Sequence, residues 1–533
     1  MKQRFILVLP AILLVSLLLA AGTLGAAQFP VTAYGATGNG RTDDTAAIQA
    51  AINAAMAAGG GTVTVPVGTY LLDSYSPAAH PWFFHNLRVG SNVTIQATPG
   101  AKFLQGPNGR APLPPGASEV GTSVLVFGSA FYTSNTFQDS NFNGGFYNLN
   151  PTVANSTTIT LNPASNYTHF NANDYVAIYA TLAGDVNPSE ATQIASVSNT
   201  GVITLKYPLA RSFSGNPQIA NVTSLVTVNV GVNNLIVQGT EPINVNEVFN
   251  LSVSNNTFIV DTSVGGNNIM NELMNDSRFI TFTNNIFTSI GPDLINLELP
   301  QRNSHNITFT RNTFNVATVG FGEWGAQWVF DTNSFKVAPD AYAASGIFTS
   351  GLDVQFTGNG VNSTSDTVPA ITDYIGVDFN ASSAGQVRIL NNRITCNQTT
   401  HSDCIDIKTP DAHVINNMID NPFNATGSTQ NAILVEGPLH QTNVQIQQNT
   451  MFVEEGGIGI VINATSPDTS NISCNNVTGS GLFGLYIATP SPAPHAGADT
   501  VVGNVVSGFS TNINIDPSEH PGTVVDPSTS SCH

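Results

Sequence analysis

Two acidic residues stand at equivalent places in short β-prone segments of the chain. Asp406 lies between two isoleucines in CIDIK, and Asp378 lies between valine and phenylalanine in GVDFN. Because side chains alternate along a strand, the apolar neighbours point inward and both carboxyl groups point outward. On adjacent strands the two Cα atoms would be ~4.8 Å apart, a separation at which like charges raise each other's pKa. Glycoside hydrolysis uses one protonated and one ionised carboxyl group, so the pattern predicts an acid–base pair.

The same outward place recurs in other segments and predicts a column of acidic side chains. Its further members are Glu272 in NELMND and Glu298 in INLELP, with Glu323 on the coil between. In AILVEG, Leu434 and Glu436 point outward, and Glu436 and Glu272 are candidates for substrate binding. Glu272 and Glu298 would form a second pair, and Glu298 and Glu323 are also candidate catalytic acids. Outward acids can serve solubility alone, but charged residues are only 9% of this chain, which favours a functional column.

Other side chains near this column could bind a substrate. Lys408 faces out beside Asp406, and Trp324 could stack on a sugar ring. A uronate lyase or epimerase would need a base and a cation that neutralises the uronate carboxylate. The basic candidates for those roles are Lys408, Arg302, His305, Arg388 and Arg393. His305 and Arg302 fall in a predicted turn, LPQRNSHNITF, which favours a structural or solvated place for both.

A repeated asparagine indicates the fold that positions these segments. Beyond residue 230, β-prone runs are followed by Asn, any residue and an apolar residue, at intervals of 21 to 33 residues. Repeats of this length without a helical pattern indicate a parallel β-helix. Asparagine tolerates left-handed backbone geometry at a turn, and stacked asparagines can form a hydrogen-bonded ladder. The predicted ladder is Asn256, Asn285, Asn312, Asn333, Asn359, Asn392, Asn417, Asn449, Asn476 and Asn504.

The first residues predict an exported protein. Lys2 and Arg4 precede an apolar run, and Gly25 and Ala27 are the small residues that signal peptidase needs. This predicts a signal peptide over 1–27. An uncleaved anchor is the alternative, because the apolar run is nearly long enough to span a membrane. We expect a secreted or periplasmic protein with no membrane contact after cleavage.

A glycine-rich stretch, VTAYGATGNGRTDDTAAIQAAINAAMAAGG, precedes the repeats. Its glycines are typical of a phosphate cradle, but Asp43 and Asp44 stand where a phosphate would need basic groups. The two acids suit the N-terminus of a helix from about Thr45 to Ala58. We expect this helix to cover the first coil, because an open sheet edge would otherwise pair with other chains.

The repeat is absent from about Pro151 to Val222, where STTITLNP, NDYVAIYA and TQIASVSNTGVITLKYPLA predict a small antiparallel unit with SNTG as a hairpin turn. The predicted organisation is therefore a cap with the first coils at 28–150, an insertion at 151–222, the main coils at 223–515 and a tail at 516–533. Four cysteines suit two disulfides in an exported protein, and of three possible pairings we favour Cys396–Cys404 with Cys474–Cys532.

The segment YGATGNGRTDDTAAIQAAINAA…GGGTVTVPVGTY resembles the N-terminal part of the pectate-lyase superfamily. That group includes rhamnogalacturonase-like and polygalacturonase-like hydrolases, lyases, mannuronan epimerases and phage tailspikes. The resemblance implies an all-β, right-handed parallel β-helix of about ten or more coils, with the capping helix and the inserted β unit added. HSDCIDIK is similar to the DDCIAIK-type strand of polygalacturonase-like hydrolases, which implies an acid role for Asp403 and the place of the strand-end lysine for Lys408. Ser402 and Ile458 depart from the acid and the histidine of that pattern.

Composition limits the partners that such a protein can have. The formal net charge of −19 disfavours nucleic acid and anionic membranes. It also disfavours an anionic polymer unless a basic patch or bound Ca²⁺ intervenes. We predict a monomeric glycoside hydrolase that acts on a polysaccharide and needs no cofactor. The alternatives are a lyase or epimerase that uses Ca²⁺, and a non-catalytic surface protein that binds glycans.

Overall fold

The computed structural model describes most of the chain. The described residues are 26–76, 84–111, 122–128, 145–179, 189–261, 269–270, 274–275, 277–290, 296–298, 304–321, 325–338, 347–349, 352–363, 371–373, 387–396, 403–421, 431–437, 442–454, 456–464, 469–487, 499–515 and 524–526. The predicted signal peptide lies almost wholly outside these residues. Within them, no helix is both long enough and apolar enough to cross a membrane.

The chain forms a right-handed parallel β-helix, as predicted. Over most of the rod, a coil contributes one strand to each of three long faces, and each strand pairs in parallel with its counterpart in a neighbouring coil. The first sheet has 15 described strands, the second has 14 and the third has 10, with a separate 4-stranded parallel sheet from the earliest coils.

The strands of the first sheet are Gln28–Pro30, Gly61–Val65, Val93–Ala97, Thr227–Asn233, Val248–Ser254, Arg278–Thr283, His305–Thr310, Ala326–Asp331, Leu352–Thr357, Val387–Leu390, His413–Ile415, Thr442–Gln447, Thr469–Ser473, Thr500–Val502 and Val524–Asp526. The strands of the second sheet are Asn39–Asp43, Thr69–Leu72, Lys102–Gln105, Ile236–Gly239, Thr257–Asp261, Ile286–Ile290, Thr313–Val316, Ser334–Val337, Gly360–Ser363, Arg393–Cys396, Met418–Asn421, Thr450–Val453, Asn476–Gly479 and Val505–Ser507.

The strands of the third sheet are Ile269–Met270, Asn296–Glu298, Thr318–Phe321, Ile347–Thr349, Ile371–Asp373, Ile405–Ile407, Asn431–Gly437, Ile458–Ala464, Phe483–Ile487 and Thr511–Ile515. The 4-stranded sheet consists of Phe84–Val89, Thr122–Gly128, Glu241–Asn246 and Met274–Asn275. Short 3₁₀ turns span Val31–Tyr34, Pro107–Gly109 and Ala164–His169.

Apolar side chains fill the interior of the rod and stack from coil to coil. The ring of Phe309 lies parallel to those of Phe282 and Phe330, with centroids 4.6 and 4.9 Å away. Each such ring is almost fully buried, and burying a side chain of this size stabilises a protein by roughly 1.5–3 kcal/mol. Repetition of this core fixes which residues of each strand face inward.

A ladder of buried asparagines runs along one corner of the rod. Asn333 Nδ2 donates to Asn359 Oδ1 at 3.0 Å and to the carbonyl of Phe309 at 2.9 Å. Its own Oδ1 accepts from the backbone N–H of Asn312 at 2.8 Å. The same bonds recur from Asn256 to Asn504, so each asparagine satisfies backbone groups of the turn that would otherwise be unpaired.

Two details of the predicted ladder are wrong. The member between Asn449 and Asn504 is Asn475, which accepts from Asn449, whereas Asn476 is an exposed residue at the start of a strand. The left-handed backbone also lies one residue earlier than expected. Asn255 has φ 57° and Thr332 has φ 54°. The residue before the ladder asparagine therefore makes the turn, and the ladder side chain is left to bond inside it.

The capping helix spans Thr45–Ala57 and buries its apolar stripe, which includes Ile48 and Ile52, against the first coil. Asp43 Oδ1 accepts from the backbone N–H of Thr45 at 3.0 Å, as a helix N-terminus requires. Asp44 makes no such bond, which corrects that part of the prediction. Its carboxylate instead accepts from the N–H groups of the glycine-rich turn, at 2.7 Å from Thr37 and 3.0 Å from Gly38. An internal carboxylate therefore occupies the turn.

An antiparallel sheet interrupts the coils between Phe146 and Asn221. Its strands are, in spatial order, Thr158–Thr160, Val202–Leu205, Ser189–Val197, Tyr175–Tyr179, Gln218–Asn221 and Phe146–Asn148. A buried ion pair fastens this inserted unit to the rod, since Arg278 of the first sheet lies 3.3 Å from Glu190 of the insertion. The ring of Tyr207 also packs over the Arg278 guanidinium, at 5.2 Å.

Candidate active site

Asp406 lies on the outward face of the third sheet, but the places on either side of it are not acidic, so the predicted column of acids is not continuous. Strand Ile405–Ile407 aligns Asp406 with Thr372 in the preceding coil and with Leu434 in the following one. Ile405 and Ile407 are fully buried in the core, so Asp406 lies on the opposite face of its strand.

The predicted pairing of Asp406 with Asp378 is wrong. Thr372 holds the place next to Asp406 that was expected for Asp378, which itself lies outside the described residues. GVDFN alternates apolar and polar residues, whereas in ITD the polar Asp373 aligns with the inward-facing Ile407, so the apolar pattern favoured the wrong segment. The number of residues between the third-sheet strand and the ladder asparagine also varies from coil to coil. The ladder therefore does not predict the register of the third sheet.

Asp406 belongs to a cluster of charged side chains. Its Oδ2 lies 2.9 Å from Lys408 Nζ, and the same ammonium lies 3.4 Å from Oε1 of Glu436 in the next coil. Only 5% of the Asp406 side chain is exposed, against 27% for Lys408 and 36% for Glu436. The structure therefore brings these three predicted residues together, with Asp406 deepest.

Asp403 completes the cluster from the turn before the strand. Its Oδ1 accepts hydrogen bonds from Asn431, at 2.6 Å from Nδ2 and 3.3 Å from the backbone nitrogen. The next residue, Cys404, donates its N–H to the Asn431 carbonyl at 2.9 Å. Cys404 is also bonded to Cys396 by a disulfide, as predicted. These contacts hold the turn that carries Asp403 against the neighbouring coil.

The environment separates the two carboxyl groups chemically. Burial raises the pKa of Asp403 to about 7, and the nearby charges of Asp406 and Glu436 add to the rise. Burial raises the pKa of Asp406 to about 6, although the hydrogen bond and charge of Lys408 oppose this effect. Burial therefore raises the pKa of both carboxyl groups, and the contact with Lys408 favours ionisation of Asp406.

Partial burial lowers the pKa of Lys408, but the hydrogen bond and charge of Asp406, together with Glu436, outweigh it and raise the pKa overall. The ammonium thus stays charged between two carboxylates. It stands where a cation bound to those carboxylates would lie, so this cluster does not fit Ca²⁺. Among the described residues, no group of three or more His, Cys, Asp and Glu side chains could hold a metal ion.

Two oxygens of the cluster are buried and have unused hydrogen-bonding capacity. Asp406 Oδ1 and Asn431 Oδ1 accept no hydrogen bond from the part of the chain that the structure describes. A buried acceptor without a donor costs about 1–3 kcal/mol, so a substrate hydroxyl bound there would relieve that cost. Asn431 was not among the predicted site residues. It precedes Ile433 by the same two residues that separate Asp403 from Ile405, and this spacing could have identified it.

The remaining predicted residues do not join this cluster. Glu298 lies on the same column as Asp406, but three strands separate them, and these carry Gly320, Phe348 and Thr372 at the corresponding position. That path is four coil steps, or ~19 Å. In the coil before Glu298, Met270 aligns with Leu297, the residue that precedes Glu298. Glu272, Arg302, Glu323 and Trp324 lie outside the described residues.

The other basic candidates lie on different faces. Arg388 pairs with Asp353 on the first sheet at 3.4 Å, and Arg393 lies on the second sheet beside Met418. His305 is fully buried on the first sheet, and burial lowers its pKa well below the ordinary value. Cys474 is disulfide-bonded, while its predicted partner Cys532 lies outside the described residues.

Comparisons with known proteins agree with the fold. A family model described as rhamnogalacturonase A/epimerase, pectate lyase-like, matches residues 28–77, in the cap and first coils. Over 43 residues the chain is 67% identical to mannuronan C5-epimerase AlgE3 of Azotobacter vinelandii, covering 8% of this chain and 2% of that protein. It is 60% identical over 43 residues to alginate lyase 7 of the same organism, covering 8% of this chain and 5% of the lyase.

The chain thus matches only a small fraction of the length of these curated relatives. Among solved structures, the tailspike gp61 of Pseudomonas phage phi297 is similar over 93% of this chain and 83% of the tailspike, with a TM-score of 0.51 and 13% sequence identity. At that identity the likeness concerns the fold alone, and the chemistry must be argued from the residues of the site.

Proposed function

We propose that this parallel β-helix protein is an exported enzyme that cleaves a polysaccharide by glycoside hydrolysis. The observation that carries this proposal is the pair of Asp403 and Asp406, two interacting carboxyl groups with different partners: Lys408 lies 2.9 Å from Asp406, and Asn431 donates to Asp403 at 2.6 Å. Tuning two carboxyls apart in this way is how a hydrolase assigns its acid and its base.

In the proposed reaction the glycosidic bond breaks and water adds across it. Asp403 donates its proton to the leaving glycosidic oxygen, and ionised Asp406 stabilises positive charge at the anomeric carbon or takes the proton of the attacking water. Lys408 holds Asp406 ionised through their 2.9 Å contact. The Oδ1 atom of Asp406 has no donor among the described residues, and we assign it the contact with the substrate.

A second candidate is a uronate lyase or epimerase. It is favoured by the names of the relatives of the N-terminal segment, which are mannuronan epimerases and an alginate lyase. Both reactions need a base that removes the proton beside the uronate carboxylate. In the described cluster Lys408 is a charged, paired ammonium, so it suits the binding of a uronate better than the removal of its proton.

The test is incubation of the purified protein with neutral and uronate polysaccharides, each with and without Ca²⁺. Reducing ends and the ultraviolet absorbance of unsaturated uronates are followed together. Hydrolysis releases reducing ends without absorbance, whereas a lyase raises both signals. An epimerase changes neither, but it alters the mannuronate-to-guluronate ratio of alginate, which NMR measures. Hydrolysis that persists in Asp403→Asn and Asp406→Asn would show that the reaction occurs elsewhere on the molecule.

A further inference from the structure

The column that contains Asp406 changes character in the coils that follow it. Its next members are Leu434, Val461 and Tyr486, each aligned with the one before by parallel pairing. Leu434 and Val461 are 7% and 6% exposed, while Tyr486 is only partly buried. From Asp406 onward, the outward column therefore passes to two apolar residues and then to an aromatic ring.

A second ring stands beside Tyr486. The rings of Phe483 and Tyr486 are 4.9 Å apart and tilted by 31°. Both pack against a small apolar cluster formed by Leu434, Ile458 and Val461, which is separate from the main core. These contacts fix the position of the rings, while part of the surface of each ring stays exposed.

The spacing relates these rings to the acids. Tyr486 is three coil steps from Asp406, which is ~14 Å along the rod. One pyranose unit of an extended chain is comparable in length to one coil step. A chain that lies along the column and is broken at Asp406 would bring its third sugar unit onto the two rings.

We propose that Tyr486 and Phe483 form a sugar-binding subsite for the same polysaccharide that the acids cleave. Aromatic rings supply a large apolar face with a polar edge, which matches the apolar face and hydroxyl rim of a pyranose ring. The subsite rests on the proposed function, because it shares the substrate and the path along the column. It makes recognition depend on chain length, since a disaccharide at the acids does not reach the rings.

The test measures binding separately from cleavage. Asp406→Asn serves as the parent protein, and its retardation is measured in native gels cast with alginate, polygalacturonate, xylan or β-glucan. Adding Tyr486→Ala should weaken retardation by roughly tenfold in polymer concentration, the effect of losing one stacking contact. Tyr486→Phe keeps the ring and should bind like the parent. Phe452→Ala is the matched control, since it removes a ring that is 48% exposed on the second sheet.

The subsite is overturned if Tyr486→Ala leaves retardation unchanged, or if Phe452→Ala weakens it equally. It is also overturned if the parent is not retarded in any gel. Active protein supplies a second readout: Tyr486→Ala should lower kcat/KM for oligosaccharides that reach three units beyond the bond and leave shorter ones unaffected. If the parent is retarded but the wild-type protein leaves the polymer intact, the proposed hydrolysis is refuted and the subsite is retained.

Discussion

Asp406 is the residue on which the proposed chemistry most depends. Replacing it by Asn keeps its shape and removes its charge, so we expect kcat to fall by roughly 10²–10⁴-fold while the thermal midpoint changes little. Asp420→Asn, on the second sheet, is the control and should retain wild-type turnover. Wild-type turnover in Asp406→Asn would remove this residue from the mechanism.

Asn431 tunes the partner acid. Its two hydrogen bonds to Asp403 lower the pKa of that carboxyl, against the larger rise caused by burial. Asn431→Ala removes the side-chain bond, so the pKa of Asp403 rises and the acid keeps its proton to higher pH. The alkaline limb of the pH profile of kcat/KM should therefore move upward, by roughly half a pH unit or more.

A purely structural role for Asn431 would lower activity at every pH and leave the limb where it is. In an Asp403→Asn background the shift must disappear, because the group that titrates is gone.

At this scale the sequence predicted much of the cluster but not all of its partners. Asp406, Lys408 and Glu436 were predicted because alternation along a strand is readable from apolar neighbours. Asp403 was predicted from the resemblance of HSDCIDIK to the DDCIAIK-type strand, and it lies with them. Their catalytic and binding roles remain predictions. Asp378 was misplaced because GVDFN alternates more clearly than ITD, the segment that pairs with the strand of Asp406. Asn431 was missed because an amide at a strand start is ordinary in a chain so rich in asparagine.

At the scale of elements, the asparagine ladder holds successive coils in register. Asn333 makes side-chain bonds to both neighbouring coils and is 2% exposed. Asn333→Ala leaves several buried backbone and side-chain groups unpaired, so we expect a loss of roughly 2–4 kcal/mol. Chemical denaturation monitored by circular dichroism measures this loss.

Asn315→Ala, on an exposed outward position of the adjoining strand, should stay within about 0.5 kcal/mol of wild type. Equal effects of Asn315→Ala and Asn333→Ala would mean that the ladder does not stabilise the rod.

Elements that carry a strong local pattern were predictable. The helix was expected over about Thr45 to Ala58 and spans Thr45–Ala57, because its apolar stripe and acidic N-terminus are both local signals. The repeats gave the parallel β-helix for the same reason. Strand register was not predictable, because the connections between the third and first sheets differ in length and only pairing across coils fixes it. The choice of Asn476 over Asn475 was a one-residue error of that kind.

At the scale of the whole molecule, buried ionisable groups set how stability varies with pH. The pKa values of Asp403 and Asp406, raised by burial to about 7 and about 6, exceed the ordinary value of 3.8. Their contribution to stability is therefore fully present below that ordinary value and is lost as pH rises through the folded values. Burial lowers the pKa of His85 to about 4, so its contribution is lost as pH falls.

Asp403→Asn removes one group that ionises unfavourably in the folded state. We expect the fall in thermal midpoint between about pH 5 and about pH 8 to be smaller in this variant than in wild type. Differential scanning fluorimetry at both pH values provides the comparison, and Asp420→Asn should reproduce the wild-type fall. An unchanged fall in Asp403→Asn would show that Asp403 has no raised pKa in the folded protein.

The central claim is that Asp403 and Asp406 add water across a glycosidic bond. The most direct measurement takes a polysaccharide that the protein cleaves and digests it in water labelled with heavy oxygen. Mass spectrometry then analyses the products. We predict that each cut incorporates one labelled oxygen during bond breakage, and that Asp406→Asn produces almost no cuts. Saturated products without the label would contradict the claim. Unsaturated products without label would contradict it and establish elimination instead.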